Sequence, residues 1–338
     1  MARNVKTINS IAVASVKTIN SIAAASVKTV NSIDYVPAAA GATYGYFAGG
    51  NSGARVATAD RITFSTGATA ARTAANLSTT REGLAGVSDK TTYGYFAGGR
   101  TSSSAYRVTT DRVTFSTGAT AANTASDLSS ARAFLAGLSD GSTYGYFAGG
   151  ISGATLRLIT DRVTFSTGAT AANTASDLSA TRYQLAGLSD GSTYGYFAGG
   201  YTTATIATAD RVTFSTGATA ANTASNLSQA RYVLAGLSDG STYGYFGGGI
   251  TTAAVATTDR ITFSTGATAA NTASNLSAAR GYLAGLSDGS TYGYFAGGGG
   301  PVATADRVTF STGATAANTT SDLSQARSSL AGLSDGAI

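Results

Sequence analysis

The sequence predicts an all-β ring: the six four-stranded blades of a β-propeller, closed by the chain's own C-terminal strand. Three observations carry this. One unit recurs six times at a period close to fifty residues. Each unit holds four extended segments separated by turn signals. The first unit begins at its second strand, and the last ends on a first strand.

The period is read from Tyr-Gly-Tyr-Phe, whose first Tyr falls at Tyr44, Tyr93, Tyr144, Tyr194, Tyr243 and Tyr292, spaced by 49, 51, 50, 49 and 49 residues. An Asp-Arg pair precedes each "[VI]TFSTGATAA", at Asp60-Arg61, Asp111-Arg112, Asp161-Arg162, Asp210-Arg211, Asp259-Arg260 and Asp306-Arg307. A second Arg precedes each Leu-Ala-Gly segment, at Arg81, Arg132, Arg182, Arg231, Arg280 and Arg327.

Within a unit, "LAGLSDG" is the first strand and its Asp-Gly the turn, since Gly takes positive φ cheaply. "STYGYFAGG" is short, aromatic and ended by two glycines. "ADRVTFST" alternates, with Val and Phe on one side. "STGAT" is a second turn, and "TAANTASDLS" reads as a weaker, polar fourth strand. The Phe of "YGYF" and the Phe of "VTF" supply two core aromatics per blade. The fixed Arg and Asp read as charged hydrogen bonds between strands or blades.

These features resemble kelch repeats: "FAGG" closing the second strand, "DRVTFSTGAT" as third strand and turn, and "LSSAR" ending the fourth. The resemblance spans residues 41–338 and departs where kelch repeats usually carry Trp, which this chain lacks. It implies a propeller whose first strands lie nearest the axis, where Ala and Gly suit the crowding. "SLAGLSDGAI" at the C-terminus would then pair beside Tyr44–Gly50 and remove an exposed sheet edge.

Composition excludes much chemistry. With no Cys and no His there is no thiolate and no imidazole base or ligand. Of sixteen Asp, fifteen sit at three repeat positions, so nearly every carboxylate has equivalents where an enzyme needs unlike ones. No catalytic residue, metal site or cofactor is expected, and calcium at the Asp-Gly turns would have too few ligands. The net charge of +5 comes mostly from Arg at repeat positions, with no Lys/Arg run, which argues against nucleic acid. No stretch of eighteen apolar residues or uninterrupted signal-peptide core is present, so neither membrane insertion nor a signal peptide is expected.

Variation among the copies locates a candidate surface. All length variation lies between the Gly-Gly and the Asp-Arg, in windows of 9, 11, 10, 9, 9 and 7 residues. The pair after the second repeat Arg also varies, from Glu82-Gly83 to Ser328-Ser329. In an antiparallel blade these regions emerge on one face, and the constant turns on the other. The non-repeat aromatics gather there as Tyr106, Phe134, Tyr183, Tyr201, Tyr232 and Tyr282, with Arg55, Arg100, Arg107 and Arg157 in the windows. Tyr and Arg on loops of a rigid scaffold suit recognition, a sugar ring stacking on Tyr and Arg taking an anion.

Ahead of the ring, residues 1–40 form an arm with eleven-residue units "VKTINSIAVAS", "VKTINSIAAAS" and "VKTVNSIDYVP". Eleven residues suit either a β-meander of nine-residue strands such as Ile11–Ile19 with Asn-Ser turns, or a right-handed coiled coil. Val, Ile, Thr, Asn and Ser favour β. An arm this short cannot bury a core alone, which points to docking or oligomerisation. Tandem "SVKTIN" units before Gly-Tyr-Phe-Gly-Gly repeats resemble virion structural and tail-fibre proteins of bacteriophages, especially cyanophages.

The resemblance implies a non-enzymatic peripheral virion protein, made in the host cytoplasm. Residues 1–40 would bind other virion proteins or further copies of the chain, a trimer among the forms, and the loops a host-surface glycan or receptor. The alternative is a purely structural capsid or tail decoration. A glycan-cleaving enzyme would need unlike carboxylates, and a bacterial surface adhesin an export route.

Overall fold

The computed structural model describes residues 42–336, and within the first 41 residues the backbone of six two-residue strands. The chain divides into two compact units, Met1–Gly41 and Ala42–Ile338. In the first, Thr7–Ile8 pairs antiparallel with Ile11–Ala12, Thr18–Ile19 with Ile22–Ala23, and Thr29–Val30 with Ile33–Asp34. Each ladder brackets an Asn-Ser pair. Placing Ile8 opposite Ile11 is the β alternative, since no helix pairs those backbones. Nine-residue strands such as Ile11–Ile19 lie outside the described residues.

The second unit is a six-bladed propeller of six four-stranded antiparallel sheets. In the third blade, Ala136–Ser139 is innermost, followed by Tyr144–Ala148, Thr160–Thr164 and Ala169–Ala172. The first blade takes its innermost strand from the other end of the chain. Ala331–Ser334 pairs with Tyr44–Ala48, setting Gly332 opposite Phe47. The Asp335 carboxylate then accepts the Thr43 and Tyr44 N–H groups.

The polar fourth strand differs from expectation. The outer strand is only Ala-Thr-Ala-Ala, and "TAS" after it curls into a 3-10 turn, as at Thr124–Ser126. The curl buries the Ser, which donates to a Gly carbonyl of the next blade, from Ser126 to Gly168 at 2.5 Å and from Ser225 to Gly266 at 2.8 Å. A continued strand would leave that hydroxyl short of its partner. The Asp or Asn two residues beyond the Thr-Ala serves as an acceptor for a third-strand N–H, Asp127 for Thr110 and Asn226 for Ala209, which is why either residue serves.

Packing between blades uses three aromatics rather than two. Successive side chains of a strand point to opposite faces, so Tyr46 faces the second blade while Phe47 faces the sixth. Tyr46 stacks on Phe115 of the next blade with ring centroids 6.1 Å apart, and the other junctions repeat the pair at 5.8–6.1 Å. The outer Tyr carries the Arg of the Asp-Arg pair, Arg61 lying 4.1 Å over the Tyr44 ring.

The second repeat Arg ties each blade to the next. The Arg81 backbone bonds to the first blade at Val56 and Gly50, while its side chain reaches Phe96, Thr109 and Asp111 of the second. The same ion pair crosses every junction, ending with Arg327 and Asp60, where the last blade meets the first. At the axis, a Cβ on Gly86, Gly137, Gly187, Gly236, Gly285 or Gly332 would collide with the carbonyl oxygen of the neighbouring blade's equivalent glycine. The inner strands approach this closely because only hydrogen stands between them.

Candidate functional site

The two variable regions emerge together, as the antiparallel blade requires. Backbone bridges join them as Glu82–Arg100, Ala133–Ile151, Tyr183–Tyr201 and Tyr232–Ile250, and Asn51 bridges Ser328. The doubled glycine makes room for this. Gly49 and Gly50 have positive φ, and a Cβ on either would strike the Arg81 or Ser328 carbonyl.

Inside those bridges lies a feature the sequence did not suggest. The second residue after each repeat Arg, from Gly83 round to Ser329, adopts positive φ, and five of the six are not glycine. Phe134, Gln184, Val233, Tyr282 and Ser329 have φ of 51–60°, a costly conformation for L-residues. A closed circle of six backbone hydrogen bonds holds them. The Phe134 N–H donates to Gly83 O, Gln184 to Phe134, Val233 to Gln184, Tyr282 to Val233, Ser329 to Tyr282, and Gly83 back to Ser329, at 2.6–2.8 Å. The ring rims the axial channel on the variable face.

Above it opens a basin of about 570 Å3. Six residues singled out from the sequence line it: Arg55, Arg100, Tyr106, Phe134, Tyr183 and Tyr282. Tyr201 and Tyr232 extend its aromatic wall. Phe134 meets Tyr183 at 6.5 Å, Tyr183 meets Tyr201 at 5.9 Å, and Tyr201 meets Tyr232 at 5.6 Å, each edge to face. The Tyr106 hydroxyl reaches the Gly153 carbonyl at 3.4 Å, joining neighbouring loops. Arg107 and Arg157 stand outside the lining. Arg107 is exposed and donates to the Thr101 hydroxyl, while Arg157 is half-buried beside its own loop.

Glu82 organises the opposite wall. Its Oε1 binds both Arg55 Nη2 at 2.9 Å and Arg100 Nε at 3.0 Å, while Oε2 accepts the Asn51 amide at 2.9 Å. Arg100 also lies 4.8 Å over the Phe134 ring, linking the ionic and aromatic walls. Burial opposes ionisation of Glu82, yet Asn51, Arg100 and Arg55 outweigh it and hold its pKa below the ordinary value. Sequence reading missed Glu82, Asn51 and Gln184. The available signal was that Glu82 is the only Glu in the chain.

The repeat carboxylates are occupied structurally. In the Asp-Gly turns one oxygen accepts three N–H groups, as Asp140 does from Ser142, Thr143 and Tyr144. At that opposite end Lys90 stands where the other five turns have Gly, at φ 64°, and its side chain crosses Gly141 and Gly191. Burial pulls its ammonium pKa down against the raising influence of Asp140 and Asp190. Among the described residues no three His, Cys, Asp or Glu converge for a metal ion, and no helix is long and apolar enough to cross a membrane.

No protein-family model and no curated protein matches this sequence. What stands is the architecture, a six-bladed β-propeller carrying one aromatic and ionic basin on its variable face.

Proposed function

We propose that this chain is a non-enzymatic recognition module whose variable-face basin takes a carbohydrate, presented as a surface glycan or on a glycosylated receptor. The observation that carries the reading is the continuous wall from Arg100 through Phe134, Tyr183 and Tyr201 to Tyr232. Aromatic rings held by packing suit the apolar faces of pyranose rings, and their few rotatable bonds keep the entropic cost of binding low. Phe134 belongs to the hydrogen-bonded circle, Tyr183 and Tyr232 each precede a member of it, and backbone bridges fix Arg100 and Tyr201 beside them, so the wall is formed before a ligand arrives.

The arm supplies attachment to a larger assembly in this reading. The virion context rests on the resemblance of its tandem units and of the repeats to phage structural proteins. Several copies on one particle would raise the avidity of weak single sites. Full-length protein on a glycan array, followed by adsorption to cells bearing the glycans it selects, tests the reading. Tyr183→Ala and Tyr201→Ala should each weaken binding about tenfold, the ~1.4 kcal/mol expected for losing one stacked ring. Absence of binding across the array, with adsorption unchanged in both variants, would remove the basis for it.

A further inference from the structure

We propose that the basin is bipartite and selects an acidic saccharide. One anionic substituent sits against Arg55 and Arg100, and the adjoining sugar ring lies on the Phe134–Tyr183–Tyr201–Tyr232 wall. The proposal rests on the recognition reading and names its ligand class.

The charges in the basin do not balance. Two guanidinium groups converge on a single carboxylate oxygen of Glu82, and no other acidic residue lines the basin. One positive charge is left over. The three side chains are largely withdrawn from water, at 23% and 25% exposure for Arg55 and Arg100 and 6% for Glu82. An ionic contact made there is screened less than one on open surface.

The donors point the same way. Arg55 spends its Nη2 on Glu82, and its Nη1 has no protein partner among the described residues. Arg100 spends its Nε on Glu82, and its two Nη groups have no protein partner among those residues. Guanidinium forks bind oxyanions that present two oxygens side by side with paired hydrogen bonds, so carboxylate, sulfate ester or phosphate ester all match. Glu82 acts here as a positioning residue, holding both forks toward one place. Its presence disfavours a second carboxylate bound directly between the guanidiniums, so the anion takes their outer nitrogens.

Adjacency makes this a saccharide site rather than a general anion site. Arg100 stacks on Phe134 at 4.8 Å, and Phe134 begins the aromatic wall. A uronic acid carries its carboxylate one carbon from the ring, so both halves of the site engage a single residue. Nucleic acid fits less well. Its phosphates recur along a chain and call for a stripe of cations, whereas the basin holds one unbalanced charge and no Lys.

Binding of the full-length chain is measured by calorimetry against a glucuronate-containing disaccharide, its glucose-containing counterpart, a sulfated disaccharide, inorganic phosphate and a single-stranded oligonucleotide. The acidic disaccharides should bind at least about tenfold tighter than the neutral one, with the advantage falling as salt is raised. Their ranking identifies carboxylate or sulfate as the preferred group. Arg55→Gln and Arg100→Gln should each abolish the preference for acidic over neutral sugar, and Tyr201→Ala should weaken both. The wild-type comparison needs no variant to fold. Equal affinity for acidic and neutral sugars, or a preference that survives both Arg variants, overturns the proposal and leaves the recognition reading intact. Binding of phosphate as tightly as the acidic sugars, or tighter oligonucleotide binding, overturns the saccharide assignment. No binding to any sugar overturns the recognition reading as well.

Discussion

Replacing Arg327 tests what holds the ring shut. Its Nη2 lies 2.5 Å from Asp60 and 3.1 Å from the Phe47 carbonyl, and its Nη1 donates to the Thr58 carbonyl at 2.5 Å. Arg327 and Asp60 are 0% and 1% exposed. In Arg327→Met, Asp60 keeps only the Ser324 N–H, at 3.3 Å, and its Oδ1 already has no partner among the described residues. A buried charge stranded in this way costs about 3–5 kcal/mol, and the two carbonyls that lose their donors push the loss toward the upper end. Arg327→Lys keeps the charge but not the fork, so it should cost less, about 1–3 kcal/mol. Adding Asp60→Asn to Arg327→Met removes the stranded charge, and the double variant should be more stable than Arg327→Met alone. Urea unfolding followed by tyrosine fluorescence and circular dichroism reads all three. A loss below about 1 kcal/mol for Arg327→Met, or no recovery in the double variant, would refute the reasoning that this pair is a buried electrostatic lock.

Three further outcomes follow from the same geometry. Lys90→Gly should stabilise the propeller by about 1–2 kcal/mol in thermal melts, because it relieves positive φ and a partly desolvated ammonium. Gly187→Ala should cost about 1–3 kcal/mol or more, since its Cβ would strike the Gly137 carbonyl at the axis, and the melting temperature reads the loss. Burial pushes the Tyr95, Tyr146, Tyr196, Tyr245 and Tyr294 pKa values up to about 12 from the ordinary 10.0. Between those values the native state holds protons that the unfolded chain has released, so stability should fall as pH rises through that window, with tyrosinate absorbance appearing together with loss of circular dichroism.

The blades were legible because their signals are local. An Asp-Gly turn needs only its own neighbours, as Asp140 shows by bonding Ser142, Thr143 and Tyr144. Closure was legible from the offset of the first and last units. The curl at Thr124–Ser126 was not, because its cause is Gly168 in another blade. Tyr46 was likewise missed as a core residue, since the Phe115 ring it meets belongs to the next sheet.

For the site, the sequence by itself determined which stretches vary, by comparison of its six copies, and that they share a face, since antiparallel connectivity puts both on one side. It also marked the Tyr and Arg that would stand there. Only the tertiary structure decided which of them meet. Arg55, Glu82 and Arg100 lie far apart along the chain, and the ring's curvature brings two guanidiniums onto one carboxylate. Arg107 and Arg157 occupy the position of Val56, one residue nearer the Asp-Arg pair than Arg55, and stand outside the lining, whereas Tyr106, the equivalent of Arg55, lines the basin. Strand identity is set within a few residues, whereas charge pairing depends on the path of the whole circle.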